Sequence, residues 1–304
     1  MDDDYLLVPI RKTAFLRESS KLRYLDQLKN SKEITGMTIA DIMRRPNVYA
    51  GIIEKKRASE NYSTHWKDGM ISAILSVWRY NHAFREENHA LFREWKDLKA
   101  NVSKPIQEMY RDNIPSQRQK DANMTFSELC KKRDELDTGS PERLLLLLYT
   151  VIPPARSDYD RCRVHFSAKL PDRSQTDNHI VLFPKSGGKL LLDNYKTSDR
   201  YRRIEQDLPE VLDKELRQSL SKNPRDYLFE KNGVPMKAGT WNRWANNILK
   251  KVTGKDKMCL TMLRHIYISR KDLDIGRMTA KEKDSLARLM GHSRLMQEGY
   301  HLNS

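Results

Sequence analysis

The run LLLLLYTVI at 144–152 is the longest apolar stretch of the chain, and it fixes what the surrounding sequence can be. A segment apolar on every side has to be enclosed on every side, and this one is far too short to cross a bilayer. It therefore reads as a helix running through the middle of a folded core. Ser140 and Pro141 supply its start, a capping hydroxyl followed by a proline tolerated in the first turn. Pro153 and Pro154 stop it.

On either side the hydrophobic period differs. Before residue 110 the pattern is helical: Trp66, Met70, Ala73, Ile74, Val77 and Trp78 recur at three- and four-residue intervals and form one core seam. Lys67, Arg79 and His82 fall elsewhere on that predicted helix, on a face that is solvated or turned to an anionic partner. Residues 111–125, RDNIPSQRQKDANMT, are polar, aperiodic and contain a proline, which is linker composition. The expected boundary is near Lys120, between a helical domain over 1–120 and a second domain over 121–304.

After the prolines the period shortens. HIVLFPK, KLLLDNYK and YRRIEQDL, separated by Ser186-Gly187-Gly188 and by TSDR, predict a three-stranded antiparallel meander at about 179–208. From Leu212 onward the chain reads as helical again. Thr279 and Glu282 form a capping box for a helix ending at Met290, and Gly291 supplies the left-handed stop, so His292 emerges just past a helix end. The fold class expected is mostly α with a small antiparallel β-sheet, an α+β arrangement.

Charge indicates the partner. The chain carries 56 Lys and Arg against 41 Asp and Glu, a net +15, with an excess in both halves. Cations that displace condensed counterions gain free energy on a polyanion, so nucleic acid is the leading candidate. A membrane is not, because neither a spanning segment nor a concentrated amphipathic basic helix is present. Cys130, Cys162 and Cys259 have no paired spacing, which suggests neither disulfides nor zinc and points to a reducing, intracellular compartment. The start of the chain, MDDDYLLVPI, is acidic where a secretory signal is basic, and Asp2, Asp3 and Asp4 read as a terminal tail rather than a metal site.

The C-terminal third holds the most specific pattern. TMLRHIYIS followed by LMGHSRLMQEGY resembles the signature of the tyrosine recombinases and integrases, in which an arginine, a histidine and a nucleophilic tyrosine come in that order. IPPARSDY is similar to the first-arginine motif of that family, in a variant like those of mobile elements and large DNA viruses, and LLLDNYKTS is similar to its lysine-bearing strand. The resemblance covers residues 140–304, while 1–120 match only the length, helicity and charge of the family's core-binding domain. It implies Arg156, Lys196, Arg264, His292 and Tyr300 as catalytic residues, no metal or other cofactor, and assembly of four protomers on two DNA sites. Thr261 stands where the family has His or Lys, and His265 is a possible accessory residue beside Arg264. Only HLNS follows Tyr300, so either the sequence is cut short or contacts between protomers come from elsewhere.

The chemistry asks for the same residue types independently. A phosphodiester repels anionic nucleophiles, and its transition state gathers charge on two nonbridging oxygens, where fixed cations stabilise it. Arginine suits that position because its planar fork grips two oxygens and never loses its charge, whereas a lysine ammonium is able to give its proton to a departing alkoxide. Tyr267, three positions after Arg264, and Tyr195, beside Lys196, compete with Tyr300 for the role of nucleophile. Lys67, Arg79, Arg243 and Lys250 are expected to hold DNA phosphates. The rival readings are a type IB topoisomerase with nearly the same residues and a non-catalytic DNA-binding protein on the same fold.

Overall fold

The computed structural model describes residues 4–294 and 299–300; Asp2, Asp3 and the HLNS tail lie outside these. The chain divides into two compact units, Met1–Asp112 and Asn113–Ser304. It is mostly helical with two small sheets.

The first unit consists of α1 (Asp4–Lys12), α2 (Glu18–Thr35), α3 (Ile39–Arg44), α4 (Pro46–Ser59), α5 (Thr64–Tyr80), α6 (His82–Glu87) and α7 (His89–Arg111). The expected seam is the buried face of α5, with Met70, Ala73, Ile74, Val77 and Trp78 inside and Trp66 packed at its edge. Ser63 opens this helix by accepting from the Trp66 N–H at 3.2 Å. Trp95 of α7 closes the core against it and donates its indole N–H to Met43 O at 2.9 Å. One expectation needs correction: His82 does not share the helix of Lys67 and Arg79, because α5 ends at Tyr80 and His82 begins α6. The Asn81 amide donates to the carbonyls of Val77 and Leu6, which satisfies the end of α5 and breaks the run.

The second unit begins with α8 (Gln117–Ala122), α9 (Phe126–Asp134) and α10 (Pro141–Thr150). Within the aperiodic stretch, α8 is held by a capping box in which Ser116 and Gln119 satisfy each other's backbone N–H groups. The leucine run is α10, and Leu144 to Leu148 are fully buried. Each such side chain contributes about 1.5–3 kcal/mol when taken from water. Ser140 caps α10 through Arg143 N at 3.2 Å. Buried Glu215 accepts from Gly139 N at 2.6 Å and from Arg143 Nε at 3.1 Å, which fixes the entry to the helix.

The sheet is larger than the meander. Strands β1 (Cys162–Phe166), β2 (Asn178–Leu182), β3 (Gly188–Leu192) and, after the short helix α11 (Ser198–Tyr201), β4 (Ile204–Asp207) lie in that order. The β2–β3–β4 part is antiparallel, and β1 adds to β2 in parallel, so the sheet is mixed rather than antiparallel. CRVHF gives little notice of this, because its pairing is made at a distance, after a 167–177 connection that returns the chain alongside.

Helix α12 (Glu210–Lys222) follows, then a hairpin of β5 (Glu230–Lys231) and β6 (Val234–Pro235). That hairpin interrupts the stretch expected to be helical. Asn232 and Gly233 both take positive φ, 55° and 75°, as a two-residue hairpin turn requires. The chain ends in α13 (Ala238–Thr253), α14 (Leu260–Ile268) and α15 (Ala280–Leu289). Asn246 of α13 caps α14 by accepting from Leu260 N at 3.0 Å, and every residue of α14 except Thr261 is buried. The capping box of Thr279 and Glu282 starts α15, and Gly291 at φ 67° lies just beyond its C-cap, Met290. No helix among the described residues is long and apolar enough to cross a membrane.

Candidate active site

Three chain segments meet where α15 ends. A helix C-terminus leaves carbonyls unpaired and carries partial negative charge, so it is a natural seat for cations. Here Met290 O accepts from Arg264 Nη2 at 3.0 Å and Gly291 O accepts from Arg156 Nη1 at 3.0 Å. The other end of the Arg264 fork donates to Pro154 O at 2.8 Å, a carbonyl at the proline stop after α10. Arg156 is held from behind as well: its own carbonyl accepts from the Tyr149 hydroxyl, and its N–H donates to Asp158 Oδ2 at 3.0 Å.

His292 completes the cluster. Arg264 Nη2 lies 2.6 Å from His292 Nδ1. Arginine only donates, so Nδ1 accepts and the imidazole proton sits on Nε2. Arg264 is 1% exposed and His292 is 2% exposed. Arg264 Nε and His292 Nε2 are both buried donors with no hydrogen-bond partner among the described residues. A buried donor left unmade costs about 1–3 kcal/mol, and here two such donors lie together.

Electrostatics agree. Burial pushes the pKa of Arg264 down; the facing Tyr300 opposes the shift and the like charge of Arg156 adds to it. His292 is depressed to about 3, first by burial and then by the charges of Arg264 and Arg156, so it is neutral near pH 7. Asp158 moves the other way, up to about 6, because its enclosed carboxyl loses more by burial than it gains from the Arg156 N–H and the two arginines. Sequence reasoning did not single out Asp158, although it lies inside the ARSDY motif; nothing in its spacing shows that the carboxyl turns inward.

These shifts give a stability signature. For His292 the folded-state value lies below the ordinary ~6.5, so its contribution is present above that value and lost as pH falls toward the folded-state value of about 3. Asp158, raised in the folded state, loses its contribution as pH rises from about 4 to about 6. At about 1.4 kcal/mol per pH unit, wild-type protein is expected to lose about 2 kcal/mol more between pH 7.5 and 5 than His292→Gln. Urea midpoints in buffers free of phosphate and sulfate measure this, and equal losses in the two proteins would refute it.

Tyr300 faces the cluster. Its ring lies 4.8 Å from Arg264 Cζ and stacks on His292 at 5.2 Å between centroids, 18° from parallel. His265, next to Arg264 on α14, donates from Nδ1 to Tyr300 O at 2.9 Å, and its Nε2 accepts from the Gln119 amide at 3.2 Å. His265 thus connects α8 to the backbone of Tyr300. Gln119, placed by sequence in a linker, gave no sign of that contact.

Neither Lys196 nor Thr261 hydrogen-bonds to the cluster among the described residues. Lys196 is exposed in the β3–β4 connection, beyond the last residue of β3, and has no hydrogen bond or ion pair among the described residues. Thr261 is exposed on α14. The competing tyrosines are occupied elsewhere: Tyr267 packs edge-on to Phe126 and beneath Arg270, and Tyr195 has left the strand and donates its hydroxyl to Arg202 O at 2.7 Å. Of the residues expected to hold DNA phosphates, Lys67 is tied to Glu54 at 2.7 Å, while Arg79, Arg243 and Lys250 are exposed. Among the described residues no group of three or more His, Cys, Asp and Glu is arranged to hold a metal ion.

No family model and no curated protein matches this chain. Among solved structures it is similar to one titled "Crystal structure of XerA recombinase", at 14% sequence identity and a TM-score of 0.42, over 100% of this chain and 95% of the other. At that level of similarity no residue role transfers from one chain to the other.

Proposed function

We propose that this chain is a site-specific DNA recombinase that cuts and rejoins strands through a covalent bond between Tyr300 and a DNA 3′-phosphate. The observation that carries the reading is the pair of unmade buried donors, Arg264 Nε and His292 Nε2, beside Arg156 and under the ring of Tyr300. Arg156 and Arg264 would hold the nonbridging oxygens, with His292 Nε2–H as a neutral third donor. Because these groups are fixed in a buried site before DNA arrives, little reorganisation is needed as charge develops on the phosphate.

In the forward step the Tyr300 oxygen gives its proton to solvent water and bonds to phosphorus, and the bond from phosphorus to the 5′ oxygen breaks. The departing alkoxide takes a proton from Lys196, so one proton leaves the phenol and one arrives at the 5′ hydroxyl. The energy of the broken bond stays in the phosphotyrosyl ester, and the reverse attack by a 5′ hydroxyl reseals the strand. The net charge of +15 supports duplex DNA as the substrate, with exposed Arg79, Arg243 and Lys250 as phosphate contacts. We place DNA binding by the helical N-terminal unit and a tetramer on two DNA sites in the same proposal.

A duplex nicked just downstream of the cleavage site tests this, since the short downstream fragment bearing the free 5′ hydroxyl diffuses away and strands the covalent complex. The expected result is a denaturation-resistant protein–DNA band whose DNA-bearing peptide contains Tyr300. Absence of any adduct over a panel of duplexes refutes catalysis and leaves a DNA-binding protein. Adduct with relaxation of supercoils but no strand exchange between two labelled duplexes would instead indicate a topoisomerase.

A further inference from the structure

Lys196 raises a physical problem. An ammonium on a flexible stem, exposed and with no partner among the described residues, has no fixed relation to a phosphate held between Arg156 and the buried Arg264. Its two chain neighbours supply one. Thr197 Oγ1 donates to Gly291 O at 2.8 Å, and that same carbonyl accepts from Arg156 Nη1 at 3.0 Å. On the other side, the ring of Tyr195 packs on Gly291 so closely that a Cβ there would meet Tyr195 Cδ2 at 3.2 Å. The Tyr195 hydroxyl then donates to Arg202 O at 2.7 Å and closes the far end of the loop.

A threonine hydroxyl bonded to a nearby turn carbonyl is commonplace and means little. This bond is different in kind, since it joins the β3–β4 connection to the end of α15 across 94 residues of chain. Gly291 is also constrained on its own account: at φ 67° a side chain is strained, and the space where one would go is filled by Tyr195. A single carbonyl therefore carries both the first arginine and the loop that bears the lysine.

We infer that Thr197, backed by the Tyr195 ring, is a positioning residue that registers Lys196 against Arg156, so that proton donor and cationic clamp address one phosphate. This rests on the function proposed above. Thr197 touches neither phosphate nor leaving group; it acts through the neighbour it holds.

The test separates this from a merely structural role by changing the leaving group. In a nicked duplex whose bridging 5′ oxygen is replaced by sulfur, the departing thiolate, of ordinary pKa ~8.5, needs no proton donor. Thr197→Val keeps the shape and loses the donor. It is expected to cleave the ordinary strand about 100-fold more slowly than wild type in single turnover, and the sulfur-containing strand within about threefold of wild type. Thr197→Ser is expected to recover the ordinary rate to within about threefold, since it keeps the hydroxyl. Arg264→Lys, by contrast, is expected to be slow on both strands. Cleavage of the ordinary strand by Thr197→Val at the wild-type rate overturns the inference, and so does equal slowing on both strands, which would make Thr197 a support for the fold. If wild type forms no adduct on either strand, the proposed function itself fails, a result distinct from both.

Discussion

Tyr300→Phe is expected to reduce covalent capture of DNA by about 10⁴-fold or more while leaving duplex affinity within about twofold of wild type. The substitution removes one oxygen and keeps every ring contact: the face toward Arg264, the stack on His292 and the tilted contact with His265. The backbone bond from His265 Nδ1 to Tyr300 O is unaffected. Loss of adduct with retained binding therefore isolates the nucleophile from the fold. The measurement is a denaturing gel of a labelled nicked duplex beside a fluorescence-anisotropy titration at fixed salt. Adduct formation at a wild-type level would place the nucleophile elsewhere, and the geometry leaves poor substitutes. Tyr267 packs against Phe126 and Arg270, and the Tyr195 hydroxyl is committed to Arg202 O.

Arg264→Lys tests the clamp, with an expected fall in single-turnover cleavage of about 10²–10³-fold. The native guanidinium makes three bonds at fixed angles, to Pro154 O, Met290 O and His292 Nδ1, and still presents Nε–H. A lysine brings the same formal charge as a point and cannot span those acceptors while offering a further donor in plane. The damage extends to His292, whose tautomer is set by the bond from Arg264; without it, Nε2 is no longer obliged to carry the proton. The variant thus weakens at once two of the donors proposed to hold the phosphate, which is why the expected effect exceeds that of one ordinary hydrogen bond. Rates come from quenched single turnovers at saturating protein, with urea unfolding to verify that the fold persists. A rate within tenfold of wild type would mean that charge alone suffices and that the fork has no special part.

Much of the scaffold can be read along the chain. The leucine run between Ser140 and Pro153 had to be a buried helix, and the seam of α5 follows from three- and four-residue spacing. The end of α15 is written locally too, since Thr279, Glu282 and Gly291 act on their own backbone neighbours. Asn232-Gly233 also carried a hairpin signal in two residues, yet the helical composition around it masked the turn. Strand β1 and helix α8 were not legible: the strand depends on a partner more than ten residues away, and the helix on a capping box within a polar stretch.

The candidate site divides in the same way. Residue types, order and spacing nominated Arg156, Lys196, Arg264, His292 and Tyr300 through resemblance to a known pattern. By itself the sequence determined which segments are helical, where they start and stop, and that the chain is a polycation, because these properties follow from local periodicity, capping and summed charge. Only the tertiary structure decided that the carbonyls ending α15 would seat both arginines, that Asp158 would turn inward and that Thr197 would reach Gly291. Those contacts join parts of the chain remote in sequence, and their geometry depends on how the buried elements pack, which no local pattern encodes.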